Sequence, residues 1–211
     1  MDGTSWSVLV GAGSVALVHT VLGPDHYLPF VALARARHWS TRRTLALTSI
    51  CGAGHVLASL ALGGLGVGLG LALSRAERLE SVRGGIAAWA LILFGAIYSA
   101  WGVRRALGHG EHRHETGQRT TTWSLFLIFV LGPCEPLIPL FVLPASRGDW
   151  FVAGLTATVF GAVTIGTMVA LTSLQLIGLR RLRWARLEPW THALAGAVIA
   201  ASGAGVLLLG L

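Results

Sequence analysis

The sequence predicts an all-α membrane protein with six transmembrane helices in two inverted three-helix repeats, helices one and four being broken at Gly-Pro. Three observations carry that expectation. The first is composition: 54% of the 211 residues are hydrophobic and 12% are charged, where a soluble domain carries roughly 25% charged residues. The second is an internal repeat. Leu22-Gly23-Pro24-Asp25-His26 recurs as Leu131-Gly132-Pro133-Cys134-Glu135. At the same offset, Cys51-Gly52-Ala53-Gly54-His55 faces Phe160-Gly161-Ala162-Val163-Thr164, and Ala61-Leu62 faces Ala170-Leu171. Matches held in nearly constant register mark a duplicated half. The third is the distribution of arginine, which supplies all 16 basic residues.

Spanning the apolar layer takes about 20 mostly apolar residues. Six stretches meet that length, at about 7–31, 44–70, 85–103, 122–145, 150–178 and 190–210. The whole chain, 1–211, then forms one transmembrane domain. Repeat 1 covers about 7–103, a His-rich loop about 104–121, and repeat 2 about 122–210. No basic n-region precedes the first span and no small-residue cleavage site closes it, so that span is expected to stay as a helix. The second span ends in Gly63, Gly64, Gly66, Gly68 and Gly70, which suits a close helix contact or a bend.

Twelve arginines fall in the loops after spans one, three and five, and four (Arg75, Arg78, Arg83 and Arg147) fall on the other side. The positive-inside rule therefore places both termini outside and the loops at 40, 110 and 183 in the cytoplasm of a bacterial inner membrane. Three spans per repeat is an odd number, so the second half enters from the opposite side. That inversion is a common transporter architecture, with the site at the midplane where broken helices meet. A net charge of +7 does not imply nucleic acid, because topology accounts for the arginines. The partners expected are a metal ion and the lipid bilayer, with a homo-oligomer or a metalloenzyme-assembly partner left open.

Proline removes a backbone donor and clashes with the preceding turn, so Gly23-Pro24 and Gly132-Pro133 should interrupt their helices. Asp25 and Glu135 are the only carboxylates inside the drawn spans, which hold no Arg beside them. An unpaired Asp at mid-bilayer costs about 2.5–3.5 kcal/mol on insertion scales, so a proton or a cation is expected there. His26 and His19 lie close in sequence. Cys51 and His55 sit at i and i+4 on one helix face. Imidazole, thiolate and carboxylate together suit Ni, Co, Zn, Fe or Cu more than Mg or Ca. The candidate metal site is therefore Asp25, His26, His55, Cys134 and Glu135, with His19 and Cys51 beside it. The metal is transported rather than held as a tight cofactor, and no enzyme activity is expected.

Other motifs have plainer readings. Thr164 stands at the repeat position of His55 with Thr167 near it, and threonine readily bonds its own helix backbone. His109, Glu111, His112, His114 and Glu115 form a loop that can collect divalent metal at low affinity or simply be solvated. Trp6, Trp101, Trp123, Trp150 and Trp190 border the drawn spans and read as interfacial anchors. Cys51 and Cys134 could alternatively relay electrons by thiol–disulfide exchange.

His19-x5-Asp25-His26 resembles the signature of the nickel/cobalt transporter superfamily, which includes urease- and hydrogenase-accessory membrane proteins. Gly54-His55 on the next span and a His-bearing cytoplasmic loop extend the resemblance. The permeases proper have four residues between His and Asp-His, whereas the five found here are closer to the accessory-protein pattern. The resemblance implies nickel or cobalt transport. Gly132-Pro133-Cys134-Glu135-Pro136 is similar to the Pro-Cys element of the transmembrane thiol carriers of cytochrome c biogenesis. Those carriers place one Cys in each repeat, where this chain has Asp25 opposite Cys134.

Overall fold

The computed structural model describes residues 3–108, 117–180 and 187–209. The His-rich stretch 109–115 and Arg181, Arg183 and Arg186 lie outside them. Among the described residues all regular structure is helical: α1 (Gly3–Leu22), α2 (Leu28–Ala36), α3 (Thr41–Gly68), α4 (Leu73–Ala106), α5 (Gly117–Leu131), α6 (Leu137–Ser146), α7 (Trp150–Arg180) and α8 (Thr191–Leu209). Single 3-10 turns at Pro24–His26 and Glu188–Trp190 join α1 to α2 and lead into α8.

Four helical segments of the described residues are long and apolar enough to cross a membrane: Thr41–Gly68, Leu73–Ala106, Trp150–Leu179 and Glu188–Leu208. The stretches drawn as spans one and four are each made of two shorter helices, parted at Gly23–Tyr27 and at Gly132–Pro136. In both, the proline cannot supply the N–H that would continue the ladder. The third expected span starts at residue 85, where charge density falls. The helix in fact begins at Leu73 and carries Glu80 and Arg83 within it.

Helix ends follow local chemistry. The Ser40 hydroxyl accepts from Arg43 N–H at the start of α3, and the Asp149 carboxylate from Val152 N–H at the start of α7, as N-caps do. After α6, Gly148 takes φ +82° while Asp149 N–H reaches back to Pro144 O. That left-handed closure stops a helix cheaply only with glycine or a similarly tolerant residue.

α4 and α8 share the tightest interface. Positions Gly95 and Gly102 press on the backbone of α8 at Gly196, Ala200 and Ala193, while Gly196 and Gly203 press on α4 at Ser99 and Ala88. Rising numbers on one helix meet falling numbers on the other, so the pair is antiparallel. Small residues that admit backbone contact are the usual means of packing helices inside lipid, where apolar burial gives no net drive. Elsewhere α1 packs on α7, α3 on α5, α6 and α7, and α2 on α8. The main core gathers Phe30, Leu33, Leu91, Phe129, Met168 and Ile199 from five helices. Trp6, Trp101, Trp123, Trp150 and Trp190 are all exposed on the protein surface.

A methyl at Gly95 meets the α8 backbone, whereas one at Gly85 meets nothing. Gly95→Ala should therefore destabilise by about 1–3 kcal/mol, the usual cost of overpacking. Gly85→Ala should be neutral or gain up to about 1 kcal/mol from helix propensity. Unfolding in detergent followed by circular dichroism measures both, and equal midpoints would contradict the interface.

Candidate metal centre

The two helix breaks face each other, and the polar side chains collect between them. At the first, Gly23 N–H still bonds His19 O, and Gly23 O accepts from His26 N–H. The chain then turns His26 inward, where its side chain is 3% exposed, and leaves Asp25 partly exposed at 24%. There is no room for a side chain at Gly23, because a Cβ would collide with the His26 ring.

His26 stands between two other imidazoles. Its ring centroid is 4.9 Å from that of His19 and 5.2 Å from that of His55, both edge-on. His26 Nδ1 lies 3.2 Å from Asp25 Oδ1 and 3.2 Å from Gly23 O. His55 Nδ1 lies 3.3 Å from Phe129 O. Carboxylate and carbonyl oxygens only accept, so Nδ1 carries the proton on both rings and a neutral ring keeps its lone pair on Nε2. Orienting a ligating histidine through its other nitrogen in this way is the usual support around a metal. The Nε2 atoms of His19, His26 and His55 are all buried and have no hydrogen-bond partner. Leaving such atoms unpaired is costly, and here three do so together.

Cys134 comes from the second break and is fully buried. Ligand atoms of His19, His55 and Cys134 all lie within 4.8 Å of one another. Metal–nitrogen bonds of about 2.0–2.1 Å and metal–sulfur bonds of about 2.3 Å put tetrahedral ligands about 3.3–3.6 Å apart. The group would thus close on an ion by side-chain shifts of about 1 Å. A cavity of about 20 Å³ lined by Asp25, His26, His55, Gly132 and Pro133 adjoins the cluster.

The expected residues do not all meet. His19, expected only beside the site, is in the central group. Asp25 bonds His26 instead of joining the donor atoms. Glu135 is exposed, because after the break its side chain points outward while the preceding Cys134 points in. It borders a cleft of about 430 Å³ that also reaches His19. Cys51 shares the buried face of α3 with His55 but packs with Phe30, Phe129 and Met168. Cys134 belongs to a different cluster, with Val56, Leu137 and Phe160, and both cysteines are free. Thr164 is buried with its hydroxyl unpartnered.

Sequence reasoning passed over Glu80, Arg83 and Ser59. Glu80 is fully buried, and Arg83 Nη2 lies 2.7 Å from its Oε1. Glu135 and Asp25 are therefore not the only carboxylates at this depth, and an arginine is present. The sequence signal was the i, i+3 spacing of opposite charges, which lets an apolar helix run through both.

Comparison with protein-family models, with curated proteins and with solved structures gives no match for this chain.

Two buried thiols make a direct measurement available. Native protein in detergent should react with a maleimide at neither Cys51 nor Cys134, and at both after denaturation. Rapid labelling of either in the native state would contradict the burial.

Proposed function

We propose that the chain is a divalent transition-metal transporter of the nickel/cobalt type, not an enzyme, with the ion as its substrate at the paired helix breaks. The observation that carries this is the convergence of His19, His55 and Cys134 donor atoms within 4.8 Å, with the Nε2 atoms of His19, His55 and the adjacent His26 buried and unpartnered. Two imidazoles and a thiolate suit Ni²⁺, Co²⁺, Zn²⁺, Fe²⁺ or Cu, and discriminate against Mg²⁺ and Ca²⁺, which take oxygen ligands. His26 lies outside that donor group, next to His19 and His55, and Asp25 orients its ring. Glu135 serves as a carboxylate on the way in, in the cleft that reaches His19.

The architecture we propose is six spans in an inverted repeat, in a bacterial inner membrane with both termini outside. The packing is consistent with it. α1 packs on α7 much as α5 and α6 pack on α3, and the third and sixth spans meet antiparallel as α4 and α8. One repeat rocking on the other would open the site to alternate sides. The thiol-relay alternative needs Cys51 and Cys134 to bring their Cα atoms within about 7 Å, yet they sit in separate core clusters.

Cobalt flux into proteoliposomes tests the function. His19→Ala, His55→Ala and Cys134→Ala should each cut flux about tenfold or more, the scale seen when a metal's supporting shell is removed. Glu135→Ala should mainly raise the half-saturating concentration. Wild-type rates in all three core variants would end the proposal. Topology is tested separately by reporter fusions at residues 40, 110 and 183, all expected to read as cytoplasmic.

A further inference from the structure

The first helix break satisfies itself: Gly23 O takes His26 N–H, and Tyr27 N–H returns to Pro24 O. The second is held from another helix. Cys134 N–H donates to Glu80 Oε1 at 2.9 Å, and Arg83 Nη2 donates to Gly132 O at 3.0 Å. Between them stands Pro133, whose ring rests on Gly84, where a Cβ would overlap it. Three residues within one turn of α4 thus grip three successive residues of the break. Ser59 joins the same group, donating to Glu80 and accepting from Arg83 at 2.6 Å. It lies one turn along α3 from His55, so a single anchor fixes both the thiol and one of its imidazole partners.

We propose that Glu80 and Arg83 are positioning residues that set where the Cys134 sulfur sits, and so decide whether the site binds metal with a thiolate or with imidazoles alone. This rests on the metal-site reading above. The energetics favour a positional role over a stabilising one. Glu80 is fully buried and Arg83 is 16% exposed. Such a largely buried pair often contributes little net compared with a packed apolar replacement, but loss of one partner strands the other and frees the backbone it held. Pro133 offers no N–H, so the side-chain bonds to Gly132 O and Cys134 N–H come from α4. Without the pair, the segment would re-form its bonds elsewhere and carry the sulfur with it. The imidazoles would stay, since His55 is oriented by Phe129 O and His19 stands on α1, away from the second break.

Cobalt(II) bound to the full-length protein in nanodiscs reads the two ligand types separately. Visible d–d absorption follows bound cobalt. A near-ultraviolet sulfur-to-cobalt charge-transfer band follows thiolate ligation. Wild type should show both, and Cys134→Ala should lose only the second. Glu80→Ala should lose most of the charge-transfer band, keep d–d absorption and bind cobalt about 10–100-fold more weakly, as when support around a metal ligand is removed. Glu80→Gln retains an acceptor oxygen for Cys134 N–H and should restore the band. Gly84→Ala leaves every charge in place but displaces Pro133, and should weaken the band as well. It covers the case in which Glu80→Ala does not fold. A full band in Glu80→Ala, or in Gly84→Ala if the former cannot be isolated, overturns the positioning role while leaving the metal site standing. No cobalt bands in the wild type would remove both.

Discussion

A helix that stops inside an apolar layer strands backbone donors and acceptors where no water can pair them. Everything around the centre of this molecule answers that constraint. The chain stops twice, at Gly23-Pro24 and at Gly132-Pro133, and each stop is placed against the other elements of the bundle. The freed carbonyl of Gly23 takes the His26 backbone and lies within reach of its ring. The freed carbonyl of Phe129 takes the His55 ring, and that of Gly132 takes Arg83. Polar side chains are thus recruited to the middle of an apolar bundle because broken backbone needs them. Their remaining atoms are then available for chemistry.

The breaks themselves were legible in the sequence, since Gly-Pro inside an apolar run leaves little choice. So was the inward placing of His26, His55 and Cys134, from the cost of ionisable and metal-binding groups at that depth. The inward place of His19 was harder to assign. It lies seven residues before His26 on a helix that ends between them, so helical projection says nothing about whether the rings meet. The answer depended on the angle of the turn at Pro24–His26. The outward direction of Glu135 was illegible for a related reason. In a segment without helical period, neighbouring side chains diverge, and adjacency to Cys134 carries no direction.

Glu80 and Arg83 were hidden by the way spans are drawn. Charged residues lower a hydropathy window, so the third span was cut short of a pair whose charges compensate each other at 2.7 Å. Glycine had the opposite effect. Gly95, Gly102, Gly196 and Gly203 leave a window apolar and say nothing of orientation, yet they define the seam along which α4 and α8 touch. That seam lies in the last helix of each half, so the closest bond between the halves is the one least able to open.

The two breaks share the pattern Leu-Gly-Pro followed by two polar residues but bury different members of it. In the first, the second residue of the pair, His26, is inside and Asp25 lies partly outside; in the second, the first residue, Cys134, is inside and Glu135 is exposed. The copies have slipped by one position relative to each other. The two breaks are therefore not interchangeable. Two copies of the first break would offer two Asp-His pairs and no sulfur at either break, and two copies of the second would lack an imidazole held by a neighbouring carboxylate. Each half has become the other's complement, and neither can be replaced by a second copy of its partner.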